Sequence, residues 1–366
     1  MNPRIASFLV LASQPFVWSP AMAQNMLTVP VEVVRLSNPE LSAERSGGVT
    51  LFRIHPQYTL QSIQGSSRTE LTLGGMVEKS SNTDLSANRT LPSVRLLWEN
   101  ASPVEVFGLR ASLEEASTRE TEFAELGRVT LDTTQRTGTL GGSWTRNLTE
   151  RSVIELAASH ARVGYDTASI VDYSETRGSL EYRFELSPSS RYSLTSIAAR
   201  LKPSGGGASV SRSEFGLGYE IDLRQDVTLN ARVGVAHINA PVGKTDPVGA
   251  LRIAYTGERV GYALEWARDV SLGGTSGGYT RSETFGGSFN YPFTVDTSLA
   301  LGFSQARSFE ADRDVGVTVY ARIRSELSRF WAFTMGLEHR RAKSSGTPSV
   351  SGNALAVGFV YAHPDF

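Results

Sequence analysis

The fold class is decided by Trp331-Ala332-Phe333-Thr334-Met335-Gly336-Leu337-Glu338, in which large apolar residues alternate with small or polar ones. Successive side chains of a β-strand point to opposite faces of a sheet, so this stretch has one apolar and one polar face. Residues 315–324 and 180–186 largely repeat the scheme. Helical periodicity is hard to find elsewhere. The sequence therefore predicts an all-β protein.

The number of such segments is about 18, with 16 as the alternative. The first is predicted at 31–41, where Asn38-Pro39 interrupts it, and the last at 351–361. Tight connections such as 147–150 follow even-numbered strands, whereas longer polar ones such as 117–127 follow odd-numbered strands. Short periplasmic turns with longer outer loops are typical of bacterial membrane barrels. This parity predicts that both chain ends lie on the periplasmic side.

A soluble β-sandwich also alternates, but a chain of 366 residues would normally divide into domains, and no linker is visible. A barrel in lipid turns its apolar residues outward and surrounds a wet interior with polar ones. Lipid offers no hydrogen bonds, so the last strand must pair with the first. We therefore predict a closed antiparallel transmembrane β-barrel that contacts outer-membrane lipid.

The first 23 residues are predicted to be a signal peptide, which leaves 24–366 as the barrel. Arg4 supplies a positive start, residues 5–18 are mostly apolar, and Ala21-Met22-Ala23 forms a small-x-small cleavage site. The chain ends at Phe366 after an alternating strand, which resembles the signal read by the barrel-assembly machinery. The predicted location is the outer membrane of a Gram-negative bacterium.

Alternation places charged residues of both signs on the interior face. The functional hypothesis is a pore lining that filters solutes, and the alternative is a set of cross-strand ion pairs that brace a polar interior. Mixed signs argue against strong ion selectivity, which needs a ring of one sign. No loop looks long enough to fold in as a plug, and residues 24–30 look too short. The candidate lumen residues are Arg95, Arg110, Glu181, Arg183, Arg232, Arg252, Glu265, Arg322, Arg324 and Glu338.

Signals for other chemistry are weak. A formal net charge of −1 gives no reason to expect nucleic-acid binding, the chain has no cysteine, and its five histidines form no spaced metal motif. Residues 274–278 match G-x-S-x-G without the strand–helix context that this motif requires. Ser159 and His160 are adjacent, so on a strand they point to opposite faces. We predict no cofactor and no enzymatic activity, with a barrel hydrolase as a remote alternative.

Three stretches suggest a family resemblance: Leu85-Ser86-Ala87-Asn88-Arg89-Thr90-Leu91-Pro92-Ser93, Thr121-Glu122-Phe123 and Ser143-Trp144-Thr145-Arg146-Asn147-Leu148-Thr149-Glu150-Arg151-Ser152. With them the chain resembles outer-membrane barrels associated with exopolysaccharide and exosortase (PEP-CTERM) systems. The resemblance implies a part in exporting or organising surface polymer.

Two functions follow from these patterns. The first is a porin-like or export pore for a small solute or a surface polysaccharide, because barrels of this size normally enclose an aqueous channel. The second is a non-conducting structural or assembly barrel, which the balanced interior charge favours.

Overall fold

The computed structural model describes residues 22–42, 47–127, 131–239, 243–272, 278–309, 314–344 and 346–364. The predicted signal peptide, apart from residues 22 and 23, lies outside the described residues. So do Phe366 and most of the G-x-S-x-G stretch, residues 274–277.

The described chain is almost entirely β-strand, as alternation predicts. It contains 18 wall strands and one short helix. They are β1 (Met22–Leu36), β2 (Val49–Ile54 and Gln57–Gln64), β3 (Ser67–Ser80), β4 (Arg89–Ala101), β5 (Glu105–Ser117), α1 (Thr118–Leu126), β6 (Thr134–Thr149), β7 (Ser152–Tyr165), β8 (Tyr173–Ser187), β9 (Ser190–Pro203), β10 (Val210–Arg224), β11 (Val227–Asn239), β12 (Lys244–Thr256), β13 (Gly261–Leu272), β14 (Tyr279–Pro292), β15 (Thr297–Ser308), β16 (Val315–Glu326), β17 (Trp331–Lys343) and β18 (Val350–Pro364).

The strands form one closed antiparallel sheet, which confirms the predicted fold class. Each strand pairs with the next along the chain, and β1 also pairs with β18, from Met26 opposite Pro364 to Leu36 opposite Ala354. Closure leaves no edge strand among the described strands. The predicted start of the first strand is wrong, because residues 24–30 already pair with β2 and β18.

The second strand has a local break at His55-Pro56. Pro56 has no N–H to donate to the ladder. Its carbonyl still accepts the Gly75 N–H at 3.2 Å, and the His55 N–H donates to the Pro30 carbonyl at 2.9 Å. The pairing with β3 has the same register on both sides, since Ile54 faces Val77 and Gln57 faces Gly74. The two segments are therefore one wall strand.

The two ends of the barrel differ. At one end, which we call the short-turn end, the connections have two to four residues, such as 188–189 and 257–260. At the opposite end, the long-loop end, they reach sixteen residues in the connection 118–133, which contains α1. The predicted alternation of short turns and longer loops is confirmed. Among the described residues, no helix is long and apolar enough to cross a bilayer.

Candidate functional site

The wall has an apolar outer face and a charged inner face. Alternate positions carry exposed apolar side chains, such as Phe52 on β2 and Val233 on β11, which are 57% and 66% exposed. The positions between them carry most of the charge, such as Arg53 and Arg232. Helix α1 contacts wall strands as far apart as β5 and β16. A helix that touches such distant strands lies inside the barrel, and the side chains that meet it define the inner face.

All ten candidate lumen residues lie on strands at inner-face positions. Arg95, for example, stands between Val94 and Leu96, whose side chains are exposed on the outer face. The ladder places Arg110 opposite Leu97, and Arg252 opposite Glu265. The same alternation holds for the remaining members, Glu181, Arg183, Arg232, Arg322, Arg324 and Glu338.

These ten residues do not form one compact cluster, and their electrostatic surroundings differ. Glu181 and Arg183 belong to one group, in which Arg183 lies 3.8 Å from Glu181 and 2.9 Å from Glu155. Arg322 lies 3.8 Å from Glu338. By contrast, Arg110, Arg252 and Glu265 form no ion pair with any other described residue. The inner face therefore combines neutralised pairs with side chains whose charge is not paired.

The described parts of the connection 118–133, residues 118–127 and 131–133, lie inside the barrel, which corrects the prediction that no loop is long enough to fold in. Helix α1 begins after Ser117 and ends before Gly127, whose φ of 74° is a conformation that glycine adopts readily. Thr118 closes the base of the loop. Its hydroxyl donates to the Leu131 carbonyl and accepts the Thr133 N–H at 2.9 Å.

One cluster of ion pairs joins the helix to β2 and β3. The Arg53 guanidinium on β2 lies 2.9 Å from the Glu120 carboxylate on α1, 2.6 Å from Glu78 on β3 and 3.7 Å from Glu32 on β1. The Glu78 side chain is 1% exposed. A buried carboxylate requires a close cation, so Arg53 serves the wall and the loop at once.

A second cluster joins the loop to β4. Arg89 on β4 lies 2.7 Å from Asp132, and Arg119 on α1 lies 3.4 Å from the same carboxylate and 3.7 Å from Glu78. Arg89 also donates to the Ser117 hydroxyl at 2.8 Å. The side chains of these residues are almost wholly buried. The loop is therefore held at both of its ends by charge pairs with the wall.

The electrostatic field of this network acts on Glu120. Burial by itself raises the pKa of a carboxyl group. Here the positive charges of Arg53, Arg119 and Arg340 outweigh burial and hold the pKa of Glu120 below its ordinary value. Glu120 therefore stays ionised at neutral pH, which keeps its pair with Arg53.

Apolar and backbone contacts hold the far side of the loop. Phe123 packs with Leu41 and Ala342, and the Arg340 guanidinium lies 5.5 Å from the centre of its ring. Gly127 lies against Gly316 on β16 so closely that a Cβ on Gly127 would come within 2.2 Å of the Gly316 nitrogen. Only a glycine pair permits this approach. The loop thus spans the interior from β5 to β16.

The ends of β13 and β14 at the long-loop end also make contacts on the inner side of the wall. Val270 is 1% exposed and packs with Ala236, Ile238 and Val248. Asp269 lies 2.9 Å from Arg212 on β10, three strands away. The Tyr279 hydroxyl at the start of β14 donates to Glu175 on β8 at 2.8 Å. Among the described residues, inward contacts at the long-loop end therefore come from more than one connection, and the interior is narrower there than the strand number alone implies.

Sequence reasoning missed the residues that hold the loop. Arg53, Glu78, Arg89, Glu120 and Asp132 are not among the candidate lumen residues, because alternation reports only on strand faces and not on contacts between a loop and the wall. A usable signal was present in residues 118–126, which have no period-two pattern and precede Gly127. That pattern predicts a short helix, but not where the helix docks.

The positions of Ser159 and His160 do not support the remote hydrolase hypothesis. His160 pairs with Leu140, which is exposed on the outer face, and Ser159 pairs with Gly141 on the inner face. The two side chains point to opposite sides of the wall. The His160 ring nitrogen Nδ1 lies 2.9 Å from the Thr176 hydroxyl. Within the described part of the chain, no three His, Asp or Glu residues lie close enough together to hold a metal ion.

The similarity of this chain to known proteins lies in its fold. No protein-family model and no curated protein matches the sequence. Among solved structures, OccAB4 of Acinetobacter baumannii has a TM-score of 0.54 at 9% identity, over 93% of this chain and 98% of its own. OccK5 (OpdH) of Pseudomonas aeruginosa has 0.54 at 10%, over 94% and 98%. The outer membrane protein OpdK of the same organism has 0.53 at 10%, over 94% and 99%. The chain therefore has the closed β-barrel fold of these proteins along nearly its whole length.

Proposed function

We propose that this protein is a porin-like channel of the bacterial outer membrane, through which small hydrophilic solutes diffuse. The observation that carries the proposal is the docked loop 118–133 inside an 18-stranded barrel. Barrels of this size enclose an aqueous interior, and an inward-folded loop reduces the opening to the size of small molecules.

The location in the outer membrane has its own support. The outer face is apolar along the middle of the wall. Proteins that are surrounded by water seldom expose so continuous an apolar surface. Aromatic side chains pair on this face near the short-turn end, as in Tyr192–Tyr219 and Tyr255–Tyr262, whose ring centres are 4.8 and 4.9 Å apart. Such rows are typical of the girdle at a membrane–water interface. In this arrangement the short-turn end is periplasmic. The similarity in fold to OpdK, an outer membrane protein, agrees with the proposed outer-membrane location.

The ten candidate lumen residues are proposed to line the path of the solute. Unpaired Arg110, Arg252 and Glu265 supply polar contacts for a hydrated molecule, while paired groups such as Arg183 and Glu155 brace the wall. Because both signs are present, we propose weak rather than strong charge selectivity.

Conductance in a planar lipid bilayer tests the proposal. We expect discrete steps of current from the purified barrel in its folded, heat-modifiable form. The chain has no cysteine, so a thiol reagent reacts only with a cysteine that is introduced at a chosen position of the wall. In Arg95→Cys, a charged methanethiosulfonate reagent should reduce the current, because the Arg95 side chain is 52% exposed inside the barrel. In the neighbouring control Leu96→Cys, on the outer face, it should have no effect.

A folded barrel without current would contradict the channel and favour the second candidate, a structural or assembly barrel of a surface-polymer system. The packed clusters around Phe123 and Val270 favour this second candidate, because they fill part of the long-loop end. The resemblance to exopolysaccharide-associated barrels supports a polymer partner in either case. A gene deletion that alters solute uptake and leaves polymer display intact would count against a polymer role.

A further inference from the structure

The outer face of the wall is more basic at the long-loop end than at the short-turn end. The strand register turns Arg307, Arg341 and Lys343 outward there, and none of them forms an ion pair with a described residue. At the short-turn end the signs are mixed, and basic residues have acidic neighbours, as in Arg146–Glu105 at 3.2 Å. This difference between the two ends indicates that the long-loop end of the protein is surrounded by an anionic surface.

The densest group of outward basic residues lies on β7, β8 and β9. The ladder places Arg162, Ser174 and Lys202 side by side in one row and His160, Thr176 and Arg200 in the next. Adjacent strands are about 4.8 Å apart, so the outer members of a row are about 10 Å apart at the backbone. We call these six residues the β7–β9 basic patch. Its two hydroxyls lie between basic side chains.

The charges of this patch are not neutralised within the described chain. Arg162, Arg200 and Lys202 are exposed, and none of them forms an ion pair with a described residue. Arg200 only donates to the Ser209 hydroxyl, at 3.5 Å. On the neighbouring strand β6, by contrast, Arg136 lies 2.6 Å from Glu115. The patch is therefore available to an external anion.

Directly below the patch the wall is flat and mostly apolar. Ala158, Gly178 and Ala198 form the next row, and Leu156, Leu180 and Ser196 form the row after it, toward the middle of the wall. A Cβ on Gly178 would meet only the Ala157 carbonyl oxygen, at 4.0 Å, so the space above this glycine is open. A ligand that fits both surfaces has an anionic head next to an apolar body.

We propose that the β7–β9 basic patch binds the phosphate-bearing sugar headgroup of a lipid in the outer leaflet. The Arg162 and Arg200 guanidinium groups and the Lys202 ammonium group bind the phosphates, because charge-assisted hydrogen bonds to phosphate are strong and arginine can make two at once. The small-residue row contacts the sugar or the first part of an acyl chain. The largely apolar surface beneath the charges favours a lipid over free phosphate.

Native mass spectrometry of the full-length barrel, titrated with diphosphoryl lipid A, tests this inference. We expect Arg162→Ala/Arg200→Ala/Lys202→Ala to weaken binding at least tenfold. Arg224→Ala/Arg259→Ala/Arg329→Ala removes the same charge from the short-turn end and should leave binding unchanged. Gly178→Leu keeps every charge and fills the flat row, so it should also weaken binding. A heat-modifiable band identifies correctly folded variants.

Equal affinity in the patch variant and in the short-turn control would overturn the inference, and so would displacement of the lipid by inorganic phosphate at the same concentration. The result is independent of the proposed channel, because the patch lies on the outside of the wall. Single-channel current of the patch variant should equal that of the unmodified protein.

Discussion

The Arg53 guanidinium on β2 lies 2.9 Å from the Glu120 carboxylate on α1, and this pair joins the barrel wall to the loop inside it. The two residues are 67 positions apart in the chain. Arg53 also lies 2.6 Å from Glu78, whose side chain is 1% exposed. The same cation thus neutralises a buried wall carboxylate and holds the loop, which makes the loop position sensitive to a single residue.

We expect Arg53→Ala to release the loop. It leaves the Glu78 carboxylate without its closest partner, and loss of one member of a buried pair costs about 3–5 kcal/mol. Larger and noisier single-channel currents should result. Arg68→Ala, which removes an exposed inner-face arginine paired with Glu70, is the matched control and should leave the current almost unchanged. Unaltered current in Arg53→Ala would show that the loop does not limit conduction.

Gly316→Val should displace the loop by steric exclusion alone. A Cβ on Gly316 would lie 2.4 Å from the Gly127 Cα, and neither backbone segment can give way easily. We expect faster proteolytic cleavage between residues 118 and 133, together with a larger current. The control is Gly336→Ala on the inner face of β17, where the nearest atom to the added Cβ is 3.5 Å away. A loop that stays protected in Gly316→Val contradicts this contact.

Low pH should loosen the loop through Glu120. Its pKa is held below the ordinary 4.5 by Arg53, Arg119 and Arg340, so the folded state favours the ionised form. The resulting stability is present above about pH 5 and is lost as the pH falls through the lowered pKa. The side chain is 40% exposed, so solvent screening keeps this contribution small.

We therefore expect current fluctuations to increase as the pH is lowered below 5 in the unmodified protein. Glu120→Gln cannot titrate, so loop motion caused by this group should be nearly independent of pH in that variant. Identical pH profiles for the two proteins would exclude Glu120 as the responsible group.

Two adjacent residues on β8 separate the lipid-facing side from the interior. Leu180 is 41% exposed on the outer face, and Ser179 faces inward between Ala157 and Ile197. Leu180→Arg should destabilise the barrel in lipid vesicles by about 2–4 kcal/mol, the cost of a lipid-facing arginine near the bilayer midplane. Ser179→Arg should cost much less, because its charge enters the wet interior. Urea titration of vesicle-folded protein measures both, and equal losses would mean that the faces are assigned wrongly.

Much of the wall could be predicted from the sequence. A strand repeats every two residues, so the pattern at Trp331–Glu338 or around Arg95 defines the two faces locally, without knowledge of any distant residue. The same pattern predicted the closed fold, the strand number and the alternation of short and long connections. It misplaced the first strand, because the pairing of residues 24–30 with β2 and β18 involves residues far away in the chain.

The interior depended on the tertiary structure. Whether loop 118–133 extends outward or folds in is decided by partners such as Arg53, Arg89 and Gly316, which approach it only after the sheet has closed. Charges on a loop and charges on a wall look alike in a sequence, and their attraction acts only over the short distances that closure creates. The sequence alone determined the wall and its two faces, whereas the folded barrel decided how much of the interior stays open.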